Sequence, residues 1–89
     1  MANKRRKLNK DFEREIYSSK KNVELVLAKI YDIDDEDIQK EYMSAFNEVV
    51  YLYDELKKDY EETGFSDNSE GLFLNYKNAF NIFESEFEI

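Results

Sequence analysis

The chain has eighty-nine residues and a formal charge of −8 at pH 7, with no cysteine, histidine or proline and only two glycines. That length makes one domain with a modest core. Without cysteine there is no disulfide staple or thiolate metal site, and without histidine there is no Ser-His or Cys-His arrangement, no imidazole ligand and no ordinary general base near neutral pH.

The scarcity of turn residues argues against a sandwich or barrel, which needs them at many corners. An all-α fold is expected. No apolar run approaches the roughly 20 residues needed to cross a bilayer. The opening "MANKRRKLNK" is basic but leads into "DFEREIYSSKKN" rather than an apolar stretch, so it does not read as a secretory signal, and a cytoplasmic location is expected.

Residues 1–10 are expected to form a basic, flexible arm, and residues 11–89 a single acidic helical domain. The first helix is predicted over Asp11–Tyr31, capped by Asn9 or Lys10, with Asn9 the better cap. Its apolar positions are Phe12, Ile16, Val23, Leu27 and Ile30, flanked by Leu25, Val26 and Tyr31. Ser19 and Lys20 interrupt that stripe.

The segment "YDIDDEDIQKEY", Tyr31 to Tyr42, holds six carboxylates in twelve residues. An EF-hand loop counted from Asp32 would need Gly and Glu where Asp37 and Met43 stand. The physical reading is a helix start: Asp34 or Asp35 as cap, with Glu36 and Asp37 facing the positive end of the helix dipole. The second helix is predicted over Glu36–Thr63, with Gly64 as its stop and Lys57 and Lys58 near its negative end. One stripe runs Ile38, Tyr42, Ala45, Val49, Leu52, Leu56, Tyr60, and a second runs Met43, Phe46, Val50, Tyr53. Together they cover about half the circumference, more than one packed surface needs. A helix packed on two sides and on the order of 40 Å long is expected in the centre.

The one evident loop is "GFSDNSEG", Gly64 to Gly71, where Asp67 and Glu70 are spaced as a capping box, with Ser69 as an alternative cap. The third helix carries Leu72, Phe73, Tyr76, Phe80, Phe83 and Phe87 at core spacing. The short connection near Asp32–Asp35 makes its neighbours antiparallel. The predicted architecture is therefore a small up-down-up three-helix bundle with a long central helix.

Charge is unevenly placed. Residues 1–21 carry a net +5 and the remainder −13. On the second helix Glu41, Glu48, Glu55 and Glu62 recur every seven residues, with Tyr51 pointing away from the apolar stripes and Asp59 beside the column. These six residues are the candidate partner-binding set; Lys4, Arg5, Arg6 and Lys7 of the arm are candidate contacts for nucleic acid or a partner. No Gly-rich phosphate loop, distinguished carboxylate pair or metal spacing is evident, so neither catalysis nor a cofactor or metal is expected.

The expected function is a non-catalytic acidic module. It would occupy the basic, nucleic-acid-binding surface of a nuclease or similar protein, as small phage and mobile-element inhibitors (anti-restriction and anti-CRISPR proteins) do as a class. No motif here identifies any one such family. The alternative is a helical adaptor, of immunity or antitoxin type or self-associating as a homodimer, that uses an aromatic surplus too large for the core: Tyr42, Tyr53, Tyr60, Phe65 and the Phe-rich third helix. Direct nucleic-acid binding is less favoured, since the second helix repels phosphates and leaves only residues 4–21 to make contact.

Overall fold

The computed structural model describes residues 8–87; the arm residues Lys4, Arg5, Arg6 and Lys7 lie outside them. Three helices follow one another, α1 Lys10–Tyr31, α2 Glu36–Thr63 and α3 Asp67–Glu86, packed up-down-up with the middle one longest. The molecule is a rod of 56 × 19 × 18 Å.

Each helix start has a local chemical cause. Asn9 caps α1, its side chain accepting from the Phe12 N–H at 3.0 Å. Asp35 caps α2, accepting from the N–H groups of Asp37 and Ile38 at 2.9 and 3.2 Å. At α3 the cap differs from the Asp67–Glu70 or Ser69 expectation. Ser66 is the N-cap and Ser69 its reciprocal partner, each side chain accepting the other's backbone N–H. The shorter hydroxyl does at the third helical position what a carboxylate was expected to do, and Ser69 is completely buried while doing it. Gly64 ends α2 with φ 80 and ψ −159, its N–H reaching the Tyr60 carbonyl at 2.8 Å. That conformation belongs almost exclusively to glycine. Lys57 and Lys58 fall one turn short of the last turn of α2, which holds no cation.

The buried seams of α1 and α2 follow alternating steps of three and four residues, and that of α3, Ser69, Tyr76 and Phe83, steps by seven. On α1 the buried set is Phe12, Ile16, Ser19, Val23, Val26 and Ile30. Ser19 therefore continues the stripe rather than interrupting it, and Val26 takes the fully buried place expected of Leu27, which is half-buried. The reason is period: a seam that stays on one face steps by about 3.5 residues, the coiled-coil spacing. On α2 the same rule selects Phe46, Val49, Tyr53, Leu56 and Tyr60 from the two expected stripes, and leaves Ile38 exposed.

The aromatic residues are largely absorbed by this core. Six of the fourteen rings are buried, five are half-buried against the core, and Tyr17, Tyr31 and Tyr51 are exposed. The eleven inward rings form one continuous chain of contacts. It starts at Phe12, against Tyr60, Phe65 and Phe73 at 5.6, 5.0 and 5.4 Å. It continues through Tyr76, with Tyr53 beside it, to Phe80 and Phe46, and it ends at Phe83, Phe87 and Tyr42. Edge-to-face and offset pairs of this kind contribute about 0.5–1.5 kcal/mol each beyond the area they bury. The expected aromatic surplus remains in part: three tyrosines lie outside the core and five further rings keep part of their surface exposed. A long rod offers more interior length than a compact bundle, and rings packed edge to face fill it.

Candidate functional site

The outward face of α2 is the longest continuous charged surface that the sequence singled out. Glu41, Glu48, Glu55 and Glu62 are all exposed, one turn-pair apart at about 10.5 Å. None of the four pairs with a cation among the described residues. Ser44, Tyr51 and Lys58 run beside them, and Tyr51 keeps 62% of its surface in water. Such a ring offers contact area at small entropic cost.

Asp59 is placed differently from the four glutamates. It is half-buried at the α2–α3 junction. Its Oδ1 accepts from Asn68 Nδ2 at 2.9 Å, and its carbonyl accepts from the Thr63 hydroxyl at 2.8 Å. Its Oδ2 is buried without a hydrogen-bond partner among the described residues. Asp59 thus pins the turn into α3, and its negative charge is turned toward the protein more than toward solvent.

The column borders α3. Glu48 lines a shallow groove of about 250 Å³ together with Ala45, Ala79, Ile82 and Phe83. A partner lying on the carboxylates would meet exposed aliphatic surface at Ile82 in the same footprint.

The acidic turn extends this surface at one end of the rod. Asp32, Asp34, Asp35, Glu36 and Asp37 are all exposed. Asp35 is used as the cap of α2, and the backbone N–H of Asp32 closes the last turn of α1. Asp34 and Asp37 make no side-chain bond with a described residue. As the sequence suggested, Asp35 is the cap and Glu36 and Asp37 lie in the first turn of α2; Asp34, the other cap candidate, is not used. The neighbouring Gln39 was missed entirely. Its Nε2 donates to the carbonyls of Ile30 and Tyr31 at 3.2 and 3.1 Å, closing the end of α1 from α2. A tertiary cap of this kind leaves no trace in local sequence.

Spacing decides what such a surface can do. One carboxylate per about 10.5 Å along the column is sparser than the phosphates of one DNA strand, at about 3.4 Å of axis each. It is close to the Debye length of about 8 Å at physiological salt. The column therefore presents discrete acceptors for individual Lys or Arg side chains rather than a continuous polyanion, with charge concentrated at the Asp32–Asp37 tip.

Among the described residues no helix is long and apolar enough to cross a membrane. No group of three or more His, Cys, Asp or Glu there is disposed to hold a metal ion. Comparison with protein-family models, curated proteins and solved structures finds no match to this chain.

Proposed function

We propose that the chain is a non-catalytic acidic binding module that covers a basic surface on a protein partner. The partner class that fits best is a nuclease or other nucleic-acid enzyme, whose phosphate-binding cations would pair with the α2 carboxylates. The observation that carries this reading is the exposed column Glu41, Glu48, Glu55 and Glu62, unpaired among the described residues, on a rigid helix continuous with the acidic tip. The helix fixes the backbone positions of the carboxylates before binding, and opposite charge accelerates encounter. Tyr51 and Ile82 supply the apolar part of the contact.

The partner is sought by capture with immobilised full chain from its native cell, at low and at high salt. Affinity for a captured nucleic-acid enzyme is expected to fall steeply with salt. Reversing Glu41, Glu48 and Glu55 to Lys is expected to weaken it by about 100-fold or more. An interaction indifferent to both changes would refute the reading. Of the rings the adaptor alternative would use, Tyr53 and Tyr60 are buried, while Tyr42 and Phe65 pack on the core with part of their surface still exposed. Dimers that persist in high salt would favour that alternative.

A further inference from the structure

Four cations converge in this strongly acidic molecule. Lys10, Arg14 and Lys20 of α1 and Lys57 of α2 line an open groove of about 660 Å³ between the two helices. Two carboxylates, Glu13 and Glu61, share it, so the local balance is positive while the chain carries −8. The rest of the lining is apolar: Ile16 and the exposed Tyr17 on the α1 side, and the edges of the largely buried Tyr53 and Tyr60 on the α2 side.

The groove follows from how the bundle is packed. α2 makes its closest approach to α3, and its flank toward α1 is filled less tightly. There Tyr53 and Tyr60 lie with their rings in the core. The Tyr60 hydroxyl accepts from the Asn9 N–H at 3.3 Å and is thereby occupied. The Tyr53 hydroxyl makes no hydrogen bond with a described residue. Burial, then the neighbouring Tyr76, Asp54, Glu24 and Glu61, push its ionisation up to about 12, so it stays a proton donor across the neutral range. Arg14 pairs with Asp11 at 3.6 Å, both side chains largely in water. A pair of that kind holds its partners weakly, so the guanidinium is available.

We propose that this groove binds a planar aromatic anion of the nucleoside-phosphate class. The ligand ring lies against Tyr17, the exposed tyrosine of the groove, beside Lys21 Nζ at 4.9 Å from the Tyr17 ring, and the phosphate is held by cations from both rims. Cation and aromatic surfaces combined in this way suit nucleotides, and the volume falls in the range of small-molecule sites. The site is on the α1 flank of α2, whereas the Glu48 groove is on the α3 flank. It is therefore independent of the function proposed above.

The test is a titration of the full chain, followed by amide NMR, with thymidine monophosphate, inorganic phosphate, thymidine and a short oligothymidylate. Thymidine monophosphate is expected to give saturable shifts at residues 10–20 and 53–61. Phosphate or thymidine alone should bind about 10-fold more weakly. Arg14→Glu with Lys57→Glu, helical by circular dichroism, is expected to lose about 100-fold; Lys40→Glu, near the other end of α2, should change nothing. Tighter binding of the oligonucleotide assigns the phosphate to a single strand, and equal binding assigns it to a free nucleotide. No saturable shift at millimolar thymidine monophosphate, an undiminished shift in the double variant, or equal binding of inorganic phosphate would each overturn the proposal.

Discussion

The two faces of the bundle core are assembled by different means. α2 and α3 lie close along their length, with Phe46 meeting Phe80 and Phe83 at 5.9 and 4.8 Å. α1 and α3, by contrast, have no Cα atoms within 8 Å of each other. They are joined through Phe12 against Phe73 and by a long hydrogen bond, 3.5 Å, from the Tyr76 hydroxyl to the Ser19 carbonyl. The α2–α3 hairpin is therefore the more closely packed pair, and α1 is laid onto it along Ile16, Val23, Val26 and Ile30, with Phe12 against Tyr60 at one end and Gln39 at the other. The larger groove opens on the less closely packed side, beside α1.

Substitutions can break or sharpen that contrast. Phe46→Ala removes a fully buried ring from the hairpin core and is expected to cost about 4 kcal/mol. Urea unfolding should show one cooperative loss of all three helices. Phe12→Ala should cost somewhat less, about 3 kcal/mol, and act differently. Hydrogen exchange is expected to accelerate first in residues 10–20, with α2 and α3 still protected; uniform acceleration would show that α1 is no separate unit.

Gln39→Ala deletes both bonds to the end of α1. A loss of about 1 kcal/mol is expected, seen as fraying of residues 28–31. The smallest effect is of opposite sign. A Cβ at Gly71 meets nothing within 4 Å, so Gly71→Ala should raise stability by about 0.5–1 kcal/mol in thermal melts through helix propensity alone.

The legible parts of the fold were those with local causes. The bounds of α2 follow from Asp35 and Gly64, a side-chain oxygen placed for orphan amides and a residue free to take positive φ. The outward position of Glu41, Glu48, Glu55 and Glu62 follows from their seven-residue spacing against the apolar stripes. Features that depend on a second element were not legible. Asp59 looked like part of the charged face until Asn68 bonded it from the next helix. Ser19 looked like an interruption because its burial depends on what it faces, here Tyr76. The Tyr-and-cation groove joins residues about forty positions apart, and no periodicity within one helix points to it.

The sequence by itself determined three helices, their order and the charged side of the central one, because caps, breakers and periodicity act within a few residues of backbone. Only the tertiary structure decided which helix pair packs closest, where the eleven inward rings meet, and which polar groups are consumed in holding the bundle together. Those outcomes depend on shape fit and hydrogen-bond reach between elements distant along the chain.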